Sequence, residues 1–161
     1  MNSPKVKLRK ATPADMAAVH ALISELAHYE RASHEVTVTV EELKHDGFEK
    51  GMFEATVAEV EGEIVGMTFY YPRYSTWRGK CIYLEDFIVK SEFRHLGIGK
   101  LLFDEVVRHS HAFGAKRLEW QVLNWNELAL NFYKKVGADL DDEWINGRMT
   151  DTMMEKYIQG K

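Results

Sequence analysis

Glu85-Asp86-Phe87-Ile88-Val89-Lys90-Ser91-Glu92-Phe93-Arg94-His95-Leu96-Gly97-Ile98-Gly99-Lys100 is the stretch whose reading decides the fold. An apolar strand carries an acid at its centre and runs into a short loop of Arg94, Gly97 and Gly99. That loop opens an amphipathic helix over Ile98–Phe113, in which Ile98, Leu101, Leu102, Val106 and Phe113 fall near one face. N–H groups at a helix start lack intrahelical partners and point outward, so they can hold an anion. An acid on a strand that ends beside such a cradle suggests chemistry between a basic substrate and a phosphate-bearing cofactor.

Outward from this stretch, strands and helices alternate. Residues 81–89 form a strand with few polar breaks, expected to be central and covered on both faces. Residues 54–60 and 63–71 read as a hairpin around Glu61-Gly62, and residues 72–80 as a loop rich in aromatic and basic side chains. Residues 5–9 read as a first strand. Thr12-Pro13-Ala14-Asp15 starts a helix through Met16, Val19, Leu22, Ile23 and Leu26 that ends near Tyr29-Glu30. Thr39 with Glu42 signals a capping box on a second, short helix that stops around Asp46-Gly47. Beyond Ile98–Phe113, Gly114 is a C-terminal cap and residues 117–123 read as a strand. Asn124-Trp125-Asn126 breaks that strand, and residues 127–136 form a short helix ended by Gly137. Residues 144–157 are expected to add one or two strands. The order βα(α)βββαβαβ predicts an α/β (α+β) architecture, a mixed sheet with helices on its faces.

The 161 residues suit one domain with a real core, expected over 1–161. A net charge of −4 argues against a broad nucleic-acid-binding face. Cys81 is the only cysteine, so no intramolecular disulfide can form. It starts a strand and lacks a histidine neighbour, so a buried inert thiol is expected. Residues 1–10 hold no apolar stretch long enough for a signal peptide, and no segment is long and apolar enough to span a bilayer. A cytoplasmic protein with no membrane partner is the simplest expectation.

The glycine loop admits three readings. A Walker loop needs a glycine where Arg94 stands and a hydroxyl where Leu101 stands, so it fails twice. A dinucleotide fingerprint needs a third glycine where Leu102 stands, so it fails too. Arg94-His95-Leu96-Gly97-Ile98-Gly99 remains: glycines let the backbone approach pyrophosphate oxygens, and Arg94 adds charge. Alone, the motif serves equally well as a turn joining strand to helix. In the strand, alternation puts Tyr83, Glu85 and Phe87 on one face and Leu84, Asp86 and Ile88 on the other. On that pattern Glu85 and Asp86 share a proton only if the strand is kinked. Burial would raise a carboxylate's pKa and suit it to deprotonating an ammonium, a role assigned to Glu85.

Together these runs resemble the GNAT superfamily of N-acetyltransferases, and within it the diamine acetyltransferases: spermidine/spermine N1-acetyltransferase and its thialysine-acetylating relatives. The matching runs are residues 25–30, Trp77-Arg78-Gly79-Lys80, Tyr83-Leu84-Glu85-Asp86-Phe87, the Arg94 to Gly99 loop, Trp125-Asn126 and Asn131-Phe132-Tyr133. The resemblance implies a GNAT fold with a mostly antiparallel sheet. It implies acetyl-CoA as co-substrate, no metal, a small amine as acceptor, and a homodimer. It would place Phe87, Ile88 and Val89 along the acyl-pantetheine arm. His95, Leu96, Gly97, Ile98, Gly99 and Lys100, with Arg94, would wrap the pyrophosphate, and Asn126, Glu127, Leu128 and Ala129 would flank the CoA. Tyr29, Glu30, Trp77, Glu85, Glu119, Trp120 and Gln121 would line the amine site. Glu85 would take the amine's proton and Tyr133 would protonate the departing sulfur. Polyamine-acetylating enzymes carry Asp-Pro before the tryptophan, where this chain has Ser75-Thr76. One cation anchor is therefore missing, which favours a short ω-amino compound over a long polyamine.

Other readings fit less well. The seven histidines are scattered, and no His-x-x-x-His pair sits with an acid in ligand spacing. Tyr70-Tyr71-Pro72-Arg73-Tyr74 and Trp77 could stack on bases, though an acidic chain favours an amine-site wall or packed loop. A non-catalytic CoA-binding sensor or partner subunit would not need both Glu85 and Tyr133.

Overall fold

The computed structural model describes residues 5–160. Residues 1–4, part of the stretch read for a signal peptide, lie outside the described residues. The chain divides into two compact units, Met1–Gln121 and Val122–Lys161.

In the first unit, β1 (Val6–Lys10), β2 (Glu54–Val60), β3 (Glu63–Ser75), β4 (Gly79–Val89) and β5 (Arg117–Glu119) form one sheet in chain order. The pairs β1–β2, β2–β3 and β3–β4 are antiparallel, and β4–β5 is parallel. The sheet is mixed and mostly antiparallel, as expected. Alternation along β2 feeds two cores. Ala55 and Val57 join Met67, Phe69 and Ile88 against α1 (Met16–Tyr29), through Met16, Val19 and Leu22, and against α2 (Val40–Lys44), through Leu43. Ala58 and Val60 join Val65 and Val89 beneath α3 (Ile98–Phe113), through Ile98 and Leu102. Helix α3 lies close to the sheet because Gly66 has no side chain. A Cβ there would sit 2.9 Å from the Ile88 carbonyl oxygen and 3.2 Å from Leu102 Cδ1.

Local signals behave as their chemistry predicts. The Thr12–Asp15 capping box closes a 3₁₀ turn, Pro13–Asp15, that leads into α1. Thr39 and Glu42 form the box on α2. Gly114 ends α3 in the left-handed conformation, φ 77°. Cys81 is fully buried.

Three expectations need correction. Residues 72–80 are not a loop: β3 runs to Ser75, β4 starts at Gly79, and only Thr76, Trp77 and Arg78 turn between them. Pro72 is tolerated because β2 ends opposite Tyr70, which leaves β3 a free edge. Strand β5 stops at Glu119 rather than Leu123, because β4 pairs with it only through Tyr83. In the second unit, residues 144–157 form no strand. Thr150 caps α5 (Asp151–Gln159), accepting the Met153 N–H. Met153, Met154, Tyr157 and Ile158 have helical, not alternating, spacing. That unit also holds α4 (Glu127–Lys135), whose Asn126 cap accepts the Ala129 N–H at 3.2 Å.

Candidate active site

The site is built around two irregularities in β4. The first is a bulge. Phe69 pairs with Asp86 and Tyr70 with Leu84, so Glu85 is an extra residue without a partner on β3. Bulging shifts the alternation by one. Before it, Leu84 lies opposite Tyr70, which reaches His109 of α3. After it, Asp86 lies opposite Phe69, and Phe69 and Ile88 belong to the α1 core. Glu85 reaches the same side, accepting a 2.7 Å hydrogen bond from Tyr71, which pairs with Tyr83. Strict alternation had separated Glu85 and Asp86; the bulge brings them together.

Their environments differ. Glu85 is exposed, and its partner Tyr71 has a raised phenol pKa, from burial first and from Glu85 second. Asp86 is mostly buried, and its carboxyl is pushed up to about 7 by burial, then by Glu85 and Glu30. Glu30, at the end of α1, is itself raised by burial. Asp86 is therefore a carboxyl held protonated to near neutrality. The clue was present as a second acid in an apolar strand. What was missing was the kink.

The second irregularity is a splay. Strand β4 pairs with β5 only at Cys81, Ile82 and Tyr83, while it stays paired with β3 to Val89. From Leu84 onward its main chain has no strand partner on the β5 side among the described residues. Phe87, Phe103 and Trp120 line up in this region, with ring centroids 6.1 Å and 5.7 Å apart.

Beyond Val89, a 3₁₀ turn (Ser91–Leu96) delivers the chain to Gly97, whose φ of 72° suits glycine, and then to α3. No side chain caps α3. At Gly99 a Cβ would meet Phe87 Cζ at 3.6 Å, an ordinary van der Waals contact. An uncapped sixteen-residue helix behind a glycine turn fits a pyrophosphate. Arg94 braces this turn: its Nε donates to the Val89 carbonyl at 2.9 Å, and its guanidinium lies 5.7 Å from the Tyr29 ring centroid. Lys100 is paired with Asp104, and the Ile98 side chain is core.

The Acetyltransferase (GNAT) family model matches residues 17–138. The chain belongs to the GNAT acetyltransferase family. A thialysine N-epsilon-acetyltransferase of Bos taurus is 40% identical over 142 residues, covering 83% of this chain and 84% of that protein. An L-ornithine N5-acetyltransferase of Arabidopsis thaliana is 25% identical, covering 92% and 86%. Among solved structures, an aminoglycoside N-acetyltransferase in complex with CoA superposes with a TM-score of 0.74 at 16% identity, covering 92% and 97%. This GNAT chain is thus an N-acetyltransferase, and acetyl-CoA is the donor its family uses.

Against that background, Phe87, Ile88 and Val89 lie on the unpaired edge of β4, and residues 94–100 form the turn and helix start. Glu30, Glu85, Tyr83 and Glu119 interact electrostatically with Asp86 or with one another. Trp77 stands 79% exposed at the β3–β4 turn. In the second unit, Tyr133 is buried on α4, edge-on to Phe132. Asn126 is the helix cap, and Glu127, Leu128 and Ala129 form the first turn.

Proposed function

We propose that this N-acetyltransferase moves an acetyl group from acetyl-CoA to the primary amine of a small cationic substrate by direct attack. The observation that carries this is the carboxyl pair on the β4 bulge, beside a strand edge and glycine turn suited to CoA. We take residues 1–161 as one acetyltransferase domain.

Residues 94–100 would hold the pyrophosphate through main-chain N–H groups, and Phe87, Ile88 and Val89 would flank the pantetheine arm. Bound there, acetyl-CoA supplies an activated acetyl thioester. An ammonium arriving at Glu85 and Asp86 gains two carboxyls and must lose a proton before it can attack. Glu85, directly or through a water, takes that proton, and Asp86 makes the pair a stronger acceptor than a lone surface carboxylate. Main-chain N–H groups near Ile88 and Val89 would stabilise the oxyanion. Tyr133 would donate its phenolic proton to the departing thiolate.

The named activities of the relatives, on thialysine and ornithine, support a short ω-amino acceptor. So does Ser75-Thr76 in place of an anionic anchor. A cytoplasmic homodimer accords with this reading. Thiol release from acetyl-CoA should be seen with members of a panel of lysine, thialysine, putrescine and spermidine. Tyr133→Phe should lower kcat about 100-fold while the KM for acetyl-CoA stays within about twofold. Wild-type turnover in that variant removes the general-acid role.

A further inference from the structure

The wall that carries Glu85 also carries an arginine, Arg73. Arg73 and Tyr71 share one face of β3, two residues apart. Tyr71 pairs with Tyr83 across the ladder, and Tyr83 pairs with Glu119 of β5. The result is a continuous row: Glu85 bonded to Tyr71, Tyr71 against Tyr83 at 5.6 Å, and the Arg73 guanidinium 5.5 Å from the Tyr83 ring centroid. Beyond it, Arg73 Nη1 lies 3.5 Å from Glu119 Oε2.

That last contact is an ion pair without a hydrogen bond. Glu119 Oε2 is buried yet accepts none, and Glu119 is already engaged through Oε1 by Arg117 at 3.1 Å. Arg73 donates no hydrogen bond among the described residues, and its side chain is 53% exposed. Four other arginines hold hydrogen-bond partners: Arg9 bonds Asp15 and Glu59, Arg94 bonds Val89, Arg108 bonds Glu105, and Arg117 bonds Ser75 and pairs with Glu119. A guanidinium offers five donors in a planar fork that matches a carboxylate. Arg73 therefore presents an unused fork, held in place by an aromatic ring and a carboxylate, at about 7 Å along the strand from the tyrosine that grips Glu85.

The row is dipolar. Carboxyls stand at the Glu85 end, and at the other stand the Arg73 and Arg117 guanidiniums with Glu119 between them, Arg73 ion-paired to it but donating no hydrogen bond. A diamine or polyamine would bring a second cation against Arg73. An ω-amino acid brings its amine to the acid end and its α-carboxylate to the arginine. We propose that Arg73 is the specificity-determining residue that binds the carboxylate of an amino-acid acceptor whose ω-amine lies at Glu85. This assignment rests on the amine-acetyltransferase reading above.

The test uses matched pairs that differ only in the carboxylate: lysine with 1,5-diaminopentane, and ornithine with putrescine. Steady-state kinetics of the full chain are read at saturating acetyl-CoA. Wild type should favour the amino acid of each pair. Arg73→Gln should raise the KM for the amino acid about 10- to 100-fold, as expected for loss of a charge-assisted paired contact, with kcat within about twofold. The same variant should leave the diamine's KM unchanged or lower it. Equal changes for both members of a pair, or none, overturn the assignment. Should Arg73→Gln lose turnover with both, Arg73→Lys decides, since it keeps the charge but not the fork. A penalty confined to the amino acid then supports the proposal, and an equal penalty overturns it. Wild type that acetylates diamines but no ω-amino acid overturns this inference and leaves the acetyltransferase reading standing. Wild type that acetylates no amine overturns both.

Discussion

Two aspartates, one in the turn after β1 and one in β4, have opposite fates. Asp15, beside β1, accepts from both Arg9 nitrogens at 2.7 Å and 3.0 Å and from the Thr12 N–H at 2.7 Å. Arg9 also binds Glu59, and its guanidinium holds the Asp15 carboxyl well below the usual carboxylate range. Asp86, on β4, has no cation among the causes of its shift, only burial and the like charges of Glu85 and Glu30. At the β1 end, Arg9, Asp15 and Glu59 satisfy one another. At the β4 end, a carboxyl is kept poor in partners, a costly arrangement that natural sites retain where a proton has to move. The satisfied acid and the partner-poor acid thus lie at different places along one sheet, which is where the proposed chemistry and the fold's stability should separate.

Substitution on the two sides should separate these roles. The largest effect is expected for Glu85→Gln. Turnover at neutral pH should fall about 100-fold, and the rate should climb only at higher pH, as the amine deprotonates unaided. Thermal stability should barely change, since Glu85 is exposed. Carboxyl NMR should also show Asp86 titrating below 7, because a like charge beside it is gone. An unaltered pH–rate profile would clear Glu85 of base duty.

Asp86→Asn comes next. The folded pKa, about 7, lies above the ordinary 3.8, so the folded state binds this proton more tightly than the unfolded chain. Stability is therefore lost as pH rises between about 4 and 7. The amide should stabilise the protein at pH 8 by on the order of 3 kcal/mol and leave it unchanged below pH 4. Urea unfolding at both pH values checks this. A variant less stable at pH 8 would show that Asp86 has a cationic partner after all.

The smallest effect is expected at the paired end. Asp15→Asn should cost about 1 kcal/mol at pH 7, since the ion pair is partly solvent-screened and the turn keeps its proline. The sign is opposite to that of Asp86. With the Asp15 pKa depressed, its contribution is present above the ordinary 3.8 and disappears as pH falls below it. Acetyl transfer should be unaffected. A large loss of activity here would break the division between the two places.

Much of the architecture was legible because it is written in local chemistry. The Thr12 and Thr39 boxes, the Glu61-Gly62 turn, the span of α3 and its Gly114 stop all depend on residues a few positions apart. The errors occur where partners are remote. Residues 72–75 look like loop until β4 is seen to run beside them. Residues 120–123 look like strand until β4 is seen to leave. The glycine turn was readable for the same local reason, and so was the presence of two acids in β4.

What the chain determined alone was the inventory: a glycine turn opening a helix, two carboxylates in an apolar strand, and the family motif around them. Only the tertiary structure decided how those carboxylates sit, one exposed and one mostly buried. The mismatch of one residue between β3 and β4 turned Glu85 and Asp86 to the same side and aligned Arg73 with them. Sheet register is set by pairing between distant segments, so a one-residue bulge cannot be read from either strand by itself.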